Sequence, residues 1–283
     1  MSIGNDKIFY ISIGLAAVLI FCAAFISARP VRAADADSYA AFCQATGGTL
    51  TQTDFVDEPR GKLTPGSVPG TDKESSKKIV YLTFDDGPSE NTEAILEILK
   101  RNHIHGTFFV SNMYPQYQHL IRKAYNEGNT IGLHTASHKY EIYRSEQAYF
   151  DDLNQIAQVV KSEIGFVPAY VRFPGGSSNT ISRNYAQGIM GKLASDLNAK
   201  GYQYYDWNAD STDAAHSEDN VDDLVAHATA CNDNNVVLLC HDAPHKGTTV
   251  QALQRIIDNY RSRGYTFKPI SWKSYAPHQP IAN

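Results

Sequence analysis

The stretch "IVYLTFDDGPSENTEAILEILK", Ile79–Lys100, decides the fold. It begins with an apolar run typical of a buried strand, passes through Gly-Pro, and continues with apolar residues at helical spacing. The strand ends on two adjacent carboxylates, Asp85 and Asp86, which repel each other when both are ionised. One acidic residue at a strand end is ordinary loop chemistry. Two predict a cation that offsets the repulsion.

Strands and helices alternate from here to about residue 267. The predicted strands are Ile79–Phe84, Thr107–Val110, Thr130–Leu133, Ala169–Phe173, Tyr202–Tyr205, Val236–Cys240 and Tyr265–Phe267. The predicted helices are Thr92–Asn102, Tyr117–Glu127, Ser145–Ile164, Asn184–Lys200, Val221–Thr229 and Thr249–Arg263. This alternation indicates an α/β fold with a parallel sheet covered on both faces. About seven units in roughly 200 residues favour a distorted, incomplete (β/α) barrel, with a doubly wound open sheet as the alternative.

The composition and its shifts along the chain set the domain organisation. The chain has 283 residues, 42% of them hydrophobic, and a net charge of −5, which gives no footprint for nucleic acid. We expect an N-terminal segment at 1–33, a flexible linker rich in Pro, Gly, Ser and Lys at 34–76, the folded α/β domain at 77–272 and a C-terminal tail at 273–283. We expect a monomer.

The N-terminal run "IFYISIGLAAVLIFCAAFISA", Ile8–Ala28, carries no charge. It reaches the length of about 20 residues that spans a bilayer and exceeds a typical signal core. We predict an uncleaved membrane anchor, with a signal cleaved after Val31–Ala33 as the alternative. Either way the rest of the chain is exported.

Export also bears on the cysteines. An exported chain can pair two of Cys43, Cys231 and Cys240. Cys231 and Cys240 are the nearest of these in sequence and are the expected pair.

Polar residues cluster just after the predicted strands, where barrels and open α/β sheets carry their sites. Two His pairs share a four-residue spacing, His134 with His138 and His241 with His245. The first pair follows a strand, and one helical turn there would place both imidazoles on one side. His245 follows Pro244, whose bend should carry it away. A lone His is more often a loop residue, so only the joint pattern indicates a site.

Two imidazoles and one carboxylate form a catalytic divalent-metal site that leaves positions open for water. The cation then allows two adjacent carboxylates, of which one is a ligand and the other a base. A metal-bound water is acidified, and the base takes its proton during attack. A further His in the pocket can protonate the leaving group.

Five segments carry a resemblance to a known family. In order, "TFDDGP", "HTASH", "RFPGG", "DWNADSTD" and "LLCHD" resemble the five motifs of the NodB-type polysaccharide deacetylases, carbohydrate esterase family four. The resemblance runs from Lys78 to about Ile270, and the tail "PHQPIAN" is similar to the ends of firmicute peptidoglycan deacetylases. It implies a distorted barrel with fewer than eight units, in agreement with the count above.

The resemblance also implies residue roles at the metal and in proton transfer. The implied metal ligands are Asp86, His134 and His138, with zinc as the usual ion and cobalt or nickel as substitutes. Asp85 is implied as the base and Arg172 as the residue that orients it.

On the substrate side, the resemblance implies His241 as the acid with Asp210 supporting it. It implies that the backbone N–H of Gly175 meets the oxyanion, and that Trp207 and Leu239 wall the acetyl methyl. Gly175 replaces a more usual aromatic residue. Together with Ala214, where many members have Trp, it predicts a more open acetyl pocket.

The implied function is an exported, metal-dependent hydrolase. It would remove N-acetyl groups from amino sugars of a wall polysaccharide, with peptidoglycan N-acetylglucosamine as the expected polymer because a membrane tether keeps a wall within reach. The same chemistry on chitin or acetylated xylan is the nearest alternative. A non-catalytic glycan-binding relative is the alternative from another class.

Overall fold

The computed structural model describes residues 61–64, 70–71, 74–215 and 220–283, which lie in one compact unit, Asp57–Asn283. The predicted anchor Ile8–Ala28, the cleavage site Val31–Ala33 and Cys43 fall outside the described residues. Within the described ranges, no helix has the length and apolar character needed to cross a membrane.

The domain alternates strands with helices, much as the sequence predicts. The strands are β1 Ile79–Asp85, β2 Thr107–Val110, β3 Thr130–Leu133, β4 Tyr170–Val171, β5 Gln203–Tyr204, β6 Ala209–Asp210, β7 Asn235–His241 and β8 Thr266–Phe267. The α-helices are α1 Thr92–Arg101, α2 His119–Asn126, α3 Glu146–Ile164, α4 Ile189–Ala199, α5 Val221–Ala228 and α6 Gly247–Ser262. Short 3-10 helices span Pro115–Tyr117, Tyr140–Arg144 and Ile181–Asn184.

The strand order distinguishes the two predicted architectures. The order is β5-β4-β3-β2-β1-β7-β6, every pairing is parallel, and β8 pairs with the first two residues of β1. This is the circular order of a (β/α) barrel with its opening between β5 and β6. The distorted, incomplete barrel is therefore confirmed, and the doubly wound sheet is not the fold.

Side-chain alternation along β1 divides the core into two layers. Val80, Leu82 and Phe84 pack in the larger cluster with the helices. Ile79 and Tyr81 pack in a smaller cluster inside the barrel. By the same alternation Asp85 faces the barrel interior at the last position of the strand.

The central pair β1 and β7 sets the geometry of the site. All seven residues of each strand are buried. Thr83 pairs with Leu239 and Asp85 pairs with His241, so the two strands end together at one edge. A one-residue slip would turn every side chain to the other face, and it would place Asp85 and His241 against the apolar layer that packs with the helices.

Most predicted boundaries differ from the structure by one or two residues, and two differences are larger. The two-residue strand β6 was not predicted, since two residues are too few to show a period. Helix α4 begins at Ile189 rather than at Asn184. The preceding Gly188 has a left-handed φ of 76°, which an α-helix cannot contain, and the chain before it forms the 3-10 helix Ile181–Asn184.

The described residues of the predicted flexible linker are attached to the barrel. The backbone N–H of Leu63 donates to Val167 O at 2.8 Å, and that of Gly70 donates to Trp272 O at 2.8 Å. Thr71 also forms a β-bridge with Tyr275. The backbone groups of these residues therefore pair with backbone groups of the domain, and a flexible linker over 34–76 stays a prediction.

The C-terminal tail is also docked on the domain. The backbone N–H of Asp206 donates to Pro277 O at 3.0 Å, and the ring of His278 stacks on Tyr204 with centroids 4.0 Å apart. The Asn283 amide donates to Ser182 Oγ at 2.9 Å. These contacts place the tail beside β5, the strand that borders the opening of the barrel.

The predicted disulfide is wrong, since Cys231 and Cys240 are both free thiols. Cys231 lies before the start of β7, whereas Cys240 is the sixth residue of that strand. At about 3.3 Å per residue, the strand carries Cys240 roughly 16 Å from its start at Asn235. Burial raises the pKa of the Cys240 thiol well above its usual value.

Candidate active site

The three predicted metal ligands converge at the end of β1 and β3. Asp86 Oδ1 lies 3.5 Å from His134 Nε2 and 3.2 Å from His138 Nε2. One ligand atom from each residue lies within 4.8 Å of the others. Asp86 Oδ1 is buried and has no hydrogen-bond partner among the described residues. The predicted ligand set is therefore brought together with its acceptor atoms facing one another.

The proton on His134 is on the far side of its ring. His134 Nδ1 lies 2.8 Å from Arg172 O, and because a carbonyl can only accept, Nδ1 carries the proton and Nε2 a lone pair. Burial lowers the pKa of His134 to about 3, so the ring is neutral. A lone pair facing the carboxylate of Asp86 without a proton between them is repulsive. A divalent cation removes that repulsion, and this donor set suits one.

The predicted helical turn between His134 and His138 is not formed. The segment is an irregular turn in which Thr135 has φ 63° and His138 has φ 53°, both left-handed. Such conformations persist where the surroundings hold them. Asp152, on α3, accepts hydrogen bonds from the two backbone N–H groups after Thr135 at 2.6 and 3.0 Å. Asp152 thus fixes the spacing of the two imidazoles.

Asp85 divides its two oxygens between two neighbours. Oδ1 accepts a hydrogen bond from Arg172 Nη1 at 2.8 Å, and Oδ2 lies 3.7 Å from His134 Nε2. Burial raises the pKa of Asp85, while the Arg172 guanidinium acts against that rise. Arg172 thus contacts Asp85 and leaves one carboxylate oxygen facing the predicted metal ligands, while its role in orienting a base stays a prediction.

Arg172 is a fully buried cation that is held on every side. Nε donates to Tyr205 O at 3.0 Å, Nη2 to Asp206 O at 3.0 Å, and Nη1 also to Thr83 Oγ1 at 2.7 Å. The guanidinium stacks 4.3 Å from the centroid of the Phe109 ring. A buried charge is tolerated only with such partners, and these partners hold the guanidinium in place beside Asp85.

His241 occupies the opposite side of Asp85. Its Nδ1–H donates to Asp213 Oδ1 at 2.7 Å, and its backbone N–H donates to Asp213 Oδ2 at 2.8 Å. Burial alone would lower the pKa of His241, but the hydrogen bond and charge of Asp213 outweigh it and raise the pKa to about 9. The imidazole is therefore protonated at neutral pH, with Nε2–H left to donate.

Asp213 takes the place that was predicted for Asp210. Asp210 lies in β6 opposite Leu239, and its Oδ1 accepts from the backbone N–H of Thr212 at 2.7 Å. Thr212 has φ 63°, and this tight turn brings Asp213 back to His241. An Asp bonded to the N–H two residues ahead is a common turn signature. The sequence "DST" carries that signature, so it could have predicted that Asp210 bonds within its own turn rather than to His241.

The three predicted substrate contacts lie at the same end of the barrel. Gly175 is exposed in the loop after β4 and has φ 76°. Trp207 is half-buried, with its ring centroid 5.7 Å from the Arg172 guanidinium. Leu239 is buried two residues before His241 on the inner face of β7. Their contact with substrate stays a prediction.

The side of the pocket beside Gly175 is filled. A Cβ on Gly175 would lie 2.9 Å from Tyr140 Oη, so Tyr140 covers the space that the missing side chain would leave. The more open wall expected from Gly175 is therefore not present on this side. Burial, with a contribution from the charge of Asp86, raises the pKa of Tyr140. Ala214 is exposed.

Two buried carboxylates that the sequence analysis did not single out hold the loops of the site. Asp242 accepts from the backbone N–H of Gly87 at 2.9 Å and from Thr92 Oγ1 at 2.6 Å, and burial raises its pKa to about 7. Asp206 accepts from the backbone N–H of Ser177 at 2.8 Å. Both lie inside the quoted motifs, in which the sequence analysis gave roles to their neighbours His241 and Trp207 instead.

His245 is exposed and lies outside the ligand cluster, as predicted. Among the described residues, the cluster of His, Cys, Asp and Glu ligand atoms able to hold a metal consists of Asp86, His134 and His138.

Comparison with known proteins agrees with this fold and site. A family model described as polysaccharide deacetylase matches residues 72–190. The chain is 28% identical over 206 residues to the putative polysaccharide deacetylase YheN of Bacillus subtilis, covering 70% of this chain and 68% of that protein. It is 26% identical over 207 residues to a peptidoglycan-N-acetylglucosamine deacetylase of Bacillus cereus, covering 71% of this chain and 72% of that protein. A chitin deacetylase of Colletotrichum lindemuthianum is 29% identical over 199 residues, which are 66% of this chain and 75% of that protein.

Solved structures include a nearer relative. The catalytic domain of the peptidoglycan N-acetylglucosamine deacetylase of Eubacterium rectale is 40% identical, with a TM-score of 0.73, covering 78% of this chain and 100% of that one. The chain belongs to the polysaccharide deacetylase family, as its five motifs predict. It is therefore a hydrolytic deacetylase, and the non-catalytic alternative is set aside.

Proposed function

We propose that this protein is an exported, zinc-dependent deacetylase that removes N-acetyl groups from N-acetylglucosamine of peptidoglycan. One observation carries the proposal: ligand atoms of Asp86, His134 and His138 converge beside the carboxylate of Asp85, with the protonated imidazole of His241 on its other side. The relatives named as peptidoglycan deacetylases support the choice of polymer.

The metal would be held by Asp86, His134 and His138. A divalent cation bound there supplies Lewis acidity toward the acetyl carbonyl and lowers the pKa of water. Zinc fits a set of two imidazoles and one carboxylate.

The remaining steps belong to the protein's own side chains. Asp85 accepts the proton of the attacking water on Oδ2, because Oδ1 is occupied by Arg172. His241 donates its Nε2 proton to the leaving nitrogen, because Nδ1 is held by Asp213. An amine leaves poorly unless it is protonated, so this donation is essential for an amide. Arg172 and Asp213 do not react, but each fixes the orientation of its partner.

The acetyl group would enter between the two sides of the site. The backbone N–H of Gly175 would donate to the oxygen that becomes negative during attack. Trp207 and Leu239 would line the methyl group.

The test is acetate release from purified peptidoglycan, chitooligosaccharides and acetylated xylan. Each substrate is assayed with chelator, and again after zinc is restored. We expect release from peptidoglycan to be fastest, to stop with chelator and to return with zinc. Asp85→Asn is the matched control, which should keep zinc and lose most activity. Faster release from chitooligosaccharides or xylan would contradict peptidoglycan as the substrate. Activity that survives chelation would contradict the dependence on a metal.

The location is part of the same proposal. Ile8–Ala28 would remain attached and anchor the chain, with the barrel outside the cytoplasmic membrane. Mass spectrometry of the membrane fraction should find peptides that include this segment. A mature chain that starts near Ala34 and is found in the medium would show a cleaved signal instead.

A further inference from the structure

The 3-10 helix Tyr140–Arg144 connects the metal ligands to the loop that carries Gly175. It follows His138 directly, and the rings of His138 and Tyr140 have centroids 6.4 Å apart. Tyr143 is fully buried, and its Oη donates to Pro174 O at 2.8 Å. Tyr140 is half-buried and reaches the neighbouring Gly175. Two tyrosines of one short helix therefore contact the same peptide unit.

The hydrogen bond from Tyr143 fixes the plane of the Pro174–Gly175 peptide. In a trans peptide the C=O and N–H bonds point in opposite directions. With its carbonyl bound to Tyr143, the peptide directs its N–H away from that buried ring. Gly175 is exposed, and among the described residues no acceptor meets its N–H. A hydrogen bond to the carbonyl also polarises the N–H of the same unit.

Tyr140 places a second donor beside that N–H. A Cβ on Gly175 would lie 2.9 Å from Tyr140 Oη and 3.3 Å from its Cε1. The φ of 76° at position 175 is one that glycine adopts without strain. Within the described part of the chain, no hydrogen-bond partner is found for Tyr140 Oη. The phenol is thus a free donor held next to the exposed N–H and close to His138.

We propose that the Tyr140 phenol is a further catalytic group, which donates a hydrogen bond to the acetyl oxygen together with the backbone N–H of Gly175. Tyr143 is the positioning residue that orients this N–H. The inference rests on the proposed function, because it needs a substrate oxygen that gains negative charge near the metal ligands.

A donor of this kind acts mainly in the transition state. The acetyl oxygen of the substrate is neutral and gains charge only as water attacks, so the hydrogen bonds strengthen at that point. Loss of the donor should therefore reduce kcat and leave KM nearly unchanged. A tyrosine that only binds the sugar would instead raise KM at constant kcat.

The decisive variant is Tyr140→Phe, which removes one oxygen and keeps the ring. With an N-acetylglucosamine oligomer we expect kcat to fall about 10²-fold with KM within about 3-fold. Zinc content and Tm should match wild type. Tyr185→Phe is the control, since Tyr185 is an exposed tyrosine that has no assigned role in the site, and this change should leave kcat and KM unaltered. Tyr143→Phe should lower kcat at constant KM, by less than Tyr140→Phe.

A second measurement is independent of the polymer. Acetate can occupy the acetyl position as an anion, and its affinity for the zinc-loaded protein can be measured by calorimetry. Tyr140→Phe should weaken acetate binding about 10-fold, because hydrogen bonds to charged groups are the stronger ones.

The two measurements separate the two proposals. If wild type releases no acetate from any polymer, the proposed function fails, and the acetate affinities still decide the role of Tyr140. Equal acetate affinity in wild type and Tyr140→Phe overturns the inference. So does an unchanged kcat, or a change confined to KM, in a wild type that is active.

Discussion

Two buried histidines in this site have opposite proton states. His134 and His241 are 2% and 9% exposed, and each follows or ends a parallel strand. The pKa of His134 is about 3 and that of His241 is about 9. Burial acts downward on both, so the difference comes from the partner of Nδ1. A neutral carbonyl of Arg172 leaves His134 uncharged, whereas the carboxylate of Asp213 charges His241.

That difference supports the proposed role of each ring. A neutral imidazole with a free lone pair is suited to bind a metal, and an imidazolium with a free N–H is suited to act as a general acid. Asp85 stands between them, 3.7 Å from His134 Nε2 and in register with His241. The residue behind each imidazole thus determines its role as much as the imidazole does.

The largest effect is expected from removing the histidine that is proposed to bind the metal. His134→Ala should reduce zinc affinity by more than about 10²-fold and bring activity to background, because one of three protein ligands is lost. Metal analysis of the purified protein checks this. His245→Ala is the matched control at the exposed histidine and should keep its zinc. Equal zinc loss in the two variants would contradict the ligand assignment.

Removing the histidine proposed as the general acid should leave the metal bound. His241→Ala should retain zinc and lower deacetylation of N-acetylglucosamine oligomers about 10²–10⁴-fold, the usual contribution of a general acid. An activated acetate ester has a leaving group that needs no proton, so its hydrolysis should fall much less. An equal fall with both substrates, with zinc retained, would mean that His241 does not protonate the amine.

How much of this site the sequence predicts depends on the length of the strands that carry it. β1 and β7 have seven residues each, with patterns strong enough to place Asp85 and His241 correctly. β4, β5 and β6 have two residues each, which are too few to show a period, and the segment around β6 follows local turn chemistry. The single site residue assigned to the wrong contact, Asp210, lies there.

The residues that were not predicted share a physical reason. Asp152 and Tyr143 bond to backbone groups of loops distant in sequence, and Tyr140 lies beside Gly175 in one of those loops. No spacing rule connects these residues to the loops. Asp213 was within a quoted motif, but choosing it over Asp210 needs the path of the turn at Thr212. Motifs predict which residues gather, whereas the packing determines which of them are in contact.

A smaller effect is expected from the aspartate that supports His241, and it distinguishes Asp213 from Asp210. Asp213→Asn should lower the pKa of His241 from about 9 toward its usual 6.5, since the carboxylate that raises it is gone. His241 acts only when protonated, so the alkaline limb of kcat should move to lower pH. At pH 8.5 this alone should reduce kcat by up to about 10²-fold, with much less loss at pH 6. Asp210→Asn should leave the profile in place, and the reverse result would restore Asp210 as the partner.

The smallest effect is on stability, where the two histidines should act in opposite pH ranges. His241 has a folded pKa above the unfolded value of about 6.5, so its contribution is full below that pH and is lost as pH rises through about 9. His134 has a folded pKa far below the unfolded value, so the folded protein loses stability as pH falls from about 6.5 toward 3.

Unfolding by denaturant in the presence of chelator measures both contributions, because bound zinc would add its own pH dependence. Between pH 6.5 and 8, wild type should lose roughly 1–2 kcal/mol of unfolding free energy through His241. His241→Gln should flatten this alkaline decline and leave the acid decline, and His134→Gln should do the reverse. If both variants kept the wild-type slope on both sides, the two rings would not differ in proton state, and the assignment of one as ligand and the other as acid would lose its basis.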